Sequence, residues 1–243
     1  MRATDTLIIG SGYAALGYAV VHPDTLIVEE RELCDTSFCF PQRGYDEIGT
    51  PTDSAARELY EYYAERGLVR DGCLDVGALE MGMCSFMLDR GVRVLLKCRV
   101  VSVERTSEQV YFVTLINGAG VEHVTARRVI DMRPVGDRKT LTVLFTADPE
   151  AADEVSAAFP EGSVTPAFYE GRYALTLPAS REYLEEKRRV IDRWRSAEHG
   201  ARLLYIAPAL AQRADSAAPP RDSYFDLPFD AFVAGAEYAR EVK

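Results

Sequence analysis

Asp5-Thr-Leu-Ile-Ile-Gly10-Ser-Gly12-Tyr-Ala-Ala15-Leu-Gly17 opens the chain as an apolar run, a glycine-rich turn and a stretch of small residues. The apolar run reads as a buried strand, and the small-residue stretch as a helix packed closely against it. Gly10 can take backbone angles closed to other residues, so the strand turns sharply into the helix. Gly12 has no side chain, so an anion can come close to the backbone there. Ala15, at the third position of G-x-G-x-x-A, still allows close helix–strand packing. A second apolar run, Thr25-Leu-Ile-Val28, ends in Glu29 and Glu30. An acid about 20 residues after the first glycine, at the end of the second strand, is where a ribose hydroxyl would be held. The unit is therefore expected to be a βαβ dinucleotide-binding unit, with phosphates at the helix N-terminus near Ser11, Tyr13 and Ala14.

The composition is that of a globular chain. It has 243 residues, of which 47% are hydrophobic and 27% charged. That is room for one large domain with a smaller insertion. The net charge of −10 disfavours nucleic acid and anionic membrane surfaces as partners. No apolar stretch approaches the ~20 residues of a membrane span, and the early strand stands where a leader would; a cytoplasmic location is expected. Five scattered cysteines, Cys34, Cys39, Cys73, Cys84 and Cys98, argue against a disulfide scaffold. With His22, His123 and His199 as the histidines, a metal site is not expected.

Further along, Thr52-Asp53 reads as the cap of a helix reaching about Arg66. A second helix is expected from about Val76 to Arg90, with Leu79, Met83, Phe86 and Met87 facing the core. Val92 to Leu96 reads as a strand. Arg99 to Glu104 and Val110 to Leu115 read as a hairpin pair, Asn117-Gly118 as a turn, and Val121 to Asp131 as further strand. His123 reads as an exposed or hydrogen-bonded strand residue. Beyond Arg138 come a strand at Leu141 to Phe145, a helix from Pro149 to Phe159, and strands at Ser163 to Tyr169 and Arg172 to Leu177. A long charged helix is expected from Arg181 to His199, capped by Ser180. Leu203 to Ala207 is expected to return the chain to the first domain. A linker follows from Ala214 to Arg221, and a last helix begins after Pro228-Phe229-Asp230.

In this order the pieces resemble the FAD-dependent oxidoreductases of the two-dinucleotide-binding-domain superfamily, over roughly residues 5–45, 90–137 and 222–243. Val28-Glu29-Glu30-Arg31 is similar to that family's V-E-x-R, which implies ribose at Glu29 and the AMP part near Arg31. Val92 to Val103 is similar to the strand pair in which a valine, here Val100, meets adenine through its backbone. Ile130-Asp131-Met132-Arg133-Pro134-Val135-Gly136-Asp137 is similar to I-D-A-T-G-D, with Arg133-Pro134 in place of the small Thr-Gly pair. Pro228-Phe229 before a helix is similar to the last helix, whose N-terminus points at the flavin in that family.

The resemblance implies an α/β fold: a Rossmann-like three-layer FAD/NAD(P)-binding domain, with a small α+β insertion. It places the FAD-binding domain in residues 1–137 and 206–243 and a substrate domain in 138–205. The implied cofactor is FAD and the implied partner a small-molecule substrate. The cofactor-binding candidates are Gly10, Ser11, Gly12, Tyr13, Ala14, Ala15, Glu29, Glu30, Arg31, Val100, Arg133, Pro228 and Phe229. No catalytic acid or base stands out. Arg43 and Arg138 read as surface arginines or as charges near an acidic substrate. Cys34 and Cys39, spaced C-x4-C, resemble the redox pair of flavin disulfide reductases. Two alternatives stay open: a non-catalytic nucleotide-binding or partner subunit with the same fold, and an NAD-dependent dehydrogenase.

Overall fold

The computed structural model describes residues 2–34, 37–42, 48–107 and 109–242; Arg43 lies outside the described residues. The chain begins with β1 (Arg2–Ile9), α1 (Tyr13–Val21) and β2 (Thr25–Val28). It continues through α2 (Ser54–Glu65), a short hairpin of β3 (Val69–Arg70) and β4 (Cys73–Leu74), then α3 (Leu79–Asp89) and β5 (Arg93–Leu95). An antiparallel meander follows: β6 (Arg99–Arg105), β7 (Tyr111–Asn117) and β8 (Gly120–Asp131). These strands form a six-stranded sheet in the order β5-β2-β1-β8-β7-β6. Its first four strands run parallel, with Ile8 opposite both Ile27 of β2 and Ile130 of β8.

Alternation along β1 divides the core in two. Ile8 packs with α1, α2, α3 and the C-terminal helix, among Leu16, Leu59, Tyr63, Met83 and Phe86. Leu7 and Ile9 face the other way, toward Val113, Leu115 and Val124 of the meander. The α3 face expected to be core is buried at Leu79, Met83, Phe86 and Met87. Helix α1 is buried from Tyr13 through Ala19, as befits a helix apolar all round. Its outer neighbour is α6 (Pro228–Glu241), and glycines allow the two backbones to touch. A Cβ on Gly17 would stand 2.0 Å from Phe232 O, and one on Gly235 would stand 1.9 Å from Ala14 O.

The second sheet is built on β9 (Arg138–Thr146), α4 (Pro149–Ala158), β10 (Ser163–Pro166), β11 (Arg172–Ala179), α5 (Tyr183–Ser196), β12 (Arg202–Ile206) and β13 (Ala211–Arg213). Strand β9 pairs with β11 on one side and with β12 and β13 on the other. Phe145, Phe159 and Trp194 meet in the core beneath α4 and α5. Two expectations are corrected here. Leu203 to Ala207 does not return to the first sheet, because Leu203 pairs with Phe145 of β9 and Ile206 with Val143. An apolar run marks a strand but carries no information on which sheet it joins. The second sheet therefore extends past residue 205, to Arg213.

Ser180 is not the cap of the charged helix either. Helix α5 begins at Tyr183, after Glu182. The buried Glu186 reaches back instead, and its Oε1 accepts from the backbone N–H groups of Ser180 and Arg181, at 3.0 Å each. Burial pushes the Glu186 carboxyl up, but Arg189 and these two N–H donors outweigh it and hold it below the ordinary glutamate value.

Candidate functional site

A cavity of about 410 Å³ lies at the carboxyl ends of β1 and β2, bounded by Gly10, Glu29, Arg31, Val100, Arg133 and Ala211. Crevices at that end of an open α/β sheet are where such folds bind ligands. Its far wall, Ala209 to Gln212, comes from the β12–β13 loop and the start of β13, so both sheets contribute to the cavity. An outer groove shares Glu30, Arg31 and Ala209 with it and is closed by Phe40 and Lys97.

The turn after β1 is tight for a backbone reason. Gly10 has φ +100° and donates its N–H to Val28 O at 2.8 Å. A Cβ there would stand 3.0 Å from the N and Cα of Arg133. The turn thus lies against the end of β8. The Arg133 guanidinium forks onto Asp131, with Nε at 3.0 Å from Oδ1 and Nη2 at 2.6 Å from Oδ2. Burial pushes the Asp131 carboxyl up, but Arg133 and its backbone N–H hold it below the ordinary value. Arg221 closes the same corner by donating to Arg133 O at 2.6 Å.

Glu29 is buried and organises the strand end. Its Oε2 accepts from the N–H and the hydroxyl of Ser11, both at 2.9 Å, and its Oε1 accepts from the N–H of Arg31 at 2.9 Å. A carboxylate oxygen accepts more than one hydrogen bond, so Glu29, which lines the cavity, retains acceptor capacity. Glu30 is exposed and faces Arg99, with 3.6 Å between Oε1 and Nε.

The helix N-terminus differs from the open cradle expected from the sequence. Asp222, buried on a 3-10 turn just before α6, fills it. The N–H of Tyr13 donates to Asp222 Oδ2 at 3.0 Å, and that of Ala14 donates to Oδ1 at 2.9 Å. Gly12 is small for this contact, since a Cβ would lie 2.3 Å from Asp222 Oδ2. A carboxylate takes the place next to the helix dipole that an anion favours.

Of the candidate residues, the cavity gathers Gly10, Glu29, Glu30, Arg31, Val100 and Arg133. Ser11 sits behind it on Glu29. Gly12, Tyr13 and Ala14 hold Asp222, and Ala15 is buried in the core. The Tyr13 hydroxyl bonds that of Tyr63 at 2.8 Å. Pro228 and Phe229 do not line the cavity; the Phe229 ring packs between Tyr60 and Tyr63 of α2, at 5.8 and 5.9 Å. Arg138 is on the surface, paired with Asp215 at 2.7 Å. His123 stacks on Phe112 at 4.9 Å. Sequence reasoning missed Asp222 and the Ala209 to Gln212 wall. Neither carries a local signal, because each acts only through contacts with strands far away in the chain.

No protein-family model matches the chain, and no curated protein matches it. Solved structures do. A flavoprotein/dehydrogenase from Cytophaga hutchinsonii aligns over 98% of this chain and 77% of its own, at 15% identity and a TM-score of 0.56. An aklavinone-11 hydroxylase, solved as a ternary complex with FAD and aklavinone, aligns over all of this chain and 62% of its own, at 15% identity and 0.58. The OxyS anhydrotetracycline hydroxylase of Streptomyces rimosus covers 98% of this chain at 13% identity and 0.58, and the chain spans 63% of its length. The fold is that of the Rossmann-type flavoproteins. These likenesses carry the architecture, including the expected α/β class with a second, smaller sheet.

Proposed function

We propose that the protein binds FAD and serves as an oxidoreductase acting on a small molecule. The observation that carries this reading is the cavity at the ends of β1 and β2, whose lining includes an acid, Glu29, and Val100. The residues present fit the adenosine half of the cofactor. Glu29 Oε1 suits a ribose hydroxyl, and Val100 suits the adenine edge. With Asp222 held as the cap of α1, Gly10 and Arg133, which line the cavity, would hold the diphosphate. Bound there, FAD would supply hydride or electron transfer, while the chain orients it and excludes water. The hydroxylases similar in fold include one solved with FAD and aklavinone, which supports a small-molecule substrate for this chain as well.

A second reading has its own support. Asp222 already satisfies the two leading N–H groups of α1, as expected of a scaffold that has no need of a diphosphate. An absorption spectrum of the purified protein, followed by FAD titration, separates the two. The flavoprotein reading expects a yellow protein or saturable FAD binding. Ala209→Trp, which fills the cavity from a loop, is expected to weaken that binding tenfold or more while leaving the circular dichroism unchanged. A colourless protein whose unfolding temperature FAD does not raise overturns the reading in favour of the scaffold.

A further inference from the structure

Strand β6 ends the six-stranded sheet, and among the described residues no strand pairs with its outer edge. It has seven residues, Arg99-Val-Val-Ser-Val-Glu-Arg105. The other strands at sheet ends are shorter: β5 has three residues, β10 four with a proline at its end, and β12 five. Val101 and Val103 of β6 are 54% and 42% exposed. A long unpaired edge with exposed apolar residues is a template for another strand. A bulge at Val101 sets the faces of this strand. Arg99 and Val100 pair with Ile116 and Leu115 of β7, but the next pairs are Ser102 with Thr114, Val103 with Val113 and Glu104 with Phe112. Val113 and Leu115 are core residues, so Val100 and Val103 stand on the inner face, and Arg99, Ser102 and Glu104 on the outer one. In an unbroken strand, residues an odd number apart lie on opposite faces. The extra residue brings Val100 to the face of Val103, and Arg99 to that of Glu104. Both charged residues are exposed. Arg99 stands 3.6 Å from Glu30 at the surface, and Glu104 makes no ion pair among the described residues.

The geometry points to a homodimer in which β6 of two copies pairs antiparallel about a twofold axis normal to the sheet, joining the two sheets into one. Such an axis keeps each face on its own side, so only residues of like face can meet. With Arg99 opposite Glu104 of the second copy, Val100 falls opposite Val103 of that copy, and by symmetry each contact occurs twice. All these pairings match in face, and the two bulges stand side by side at the axis. A shift of one residue either way sets inner-face residues against outer-face ones. The ladder gives the edge N–H and C=O groups partners, and the valine pairs remove apolar surface from water. The charge pairs contribute little affinity at the surface, but they fix the register. A bulge ordinarily protects an edge; here it is what lets the edge match itself. A second copy is favoured over an unrelated peptide because one strand carries both halves of every contact. Arg99 and Val100 also line the candidate cavity, so the interface adjoins that cavity in both copies.

The test needs no bound cofactor, so it stands or falls apart from the flavoprotein reading. Sedimentation velocity of the full chain is measured over a concentration series. Wild type is expected to run as a dimer that dissociates on dilution. Arg99→Glu sets acid against acid at both ends of the ladder, and Glu104→Arg sets arginine against arginine. Each change is expected to weaken dimerisation about tenfold or more. In an equimolar mixture of the two variants every acid of one chain faces an arginine of the other. The mixture is therefore expected to dimerise as wild type does, and so is the double variant; recovery on mixing also shows that both variants are folded. Val103→Lys, at an exposed edge position, is expected to leave a monomer and serves where a charge reversal fails to fold. A wild-type chain that stays monomeric at every concentration overturns the proposal. So does a dimer that these single variants leave intact, or a pair of charge-reversed variants that stays monomeric when mixed.

Discussion

Asp53 caps α2 from the adjoining position, and Asp222 caps α1 from the far end of the chain. Both carboxylates accept from two backbone N–H groups at similar distances. Asp53 Oδ1 takes Ala55 and Ala56 at 2.9 and 3.1 Å, and Asp222 takes Tyr13 and Ala14 at 3.0 and 2.9 Å. The local cap stabilises one helix. The distant cap stabilises a helix and also ties the start of α1 to the segment before α6. Two backbone N–H groups on one carboxylate thus do different work according to how much chain the contact spans. The contrast is testable, because the two carboxylates can be removed singly.

The comparison breaks most severely at Gly235. Its Cα lies where α6 presses on the same first turn of α1 that Asp222 caps, and a Cβ would overlap Ala14 O. Gly235→Val forces the two helices apart and carries Asp222 off its donors. The expected loss is about 4 kcal/mol or more, beyond the usual cost of overpacking because the obstruction is backbone. Urea unfolding, or recovery in the soluble fraction, measures it; a variant of wild-type stability would mean that α6 does not dock on α1.

Removing the distant cap comes next. Asp222→Ala leaves the N–H groups of Tyr13 and Ala14 buried without their acceptor and deletes two charge-assisted bonds. It is expected to cost about 3 kcal/mol in urea unfolding. Asp222→Asn retains a carbonyl acceptor for one of the two donors and is expected to fall between wild type and the alanine variant. Equal stability of all three proteins would show that water replaces the carboxylate at no cost.

What was legible in the sequence follows the same division between local and distant contacts. The first βαβ unit, the Asp53 cap, the core face of α3 and the meander turning at Asn117-Gly118 are each written in neighbouring residues, and each is found in the structure. Glu29 was legible as the acid at the end of β2, but its grip on Ser11 was not, because that bond crosses between two strand ends. The strand at Leu203 to Ala207 was visible and its sheet was not. Phe229 was placed at the cofactor, yet its ring is a core residue against Tyr60 and Tyr63. Helix periodicity gives the buried face without naming what covers it. Asp222, the first residue after the expected linker, was not singled out: one aspartate there reads as solvated until a helix N-terminus is brought to it.

The smallest expected effect, at Asp53, sharpens the comparison through pH. Burial pushes the Asp53 carboxyl up, but the Ala56 N–H, Arg240 and the Ala55 N–H outweigh it, and the group is held below its ordinary value. Arg240 belongs to α6 and donates to Asp53 Oδ2 at 2.9 Å, so even the local cap touches the C-terminal helix. A carboxyl whose pKa is lower in the folded state binds its proton more weakly there than in the unfolded chain. Its contribution to stability is therefore complete above the unfolded value of about 3.9 and is lost as pH falls through the folded one. Asp53→Ala is expected to cost about 1 kcal/mol near neutral pH, the usual worth of an N-cap. The difference from wild type is expected to shrink as the pH is lowered to about 3. Urea unfolding of both proteins across that range checks it. A difference that stays constant in acid would assign the cap's worth to a neutral hydrogen bond, and would remove charge as the property it shares with Asp222.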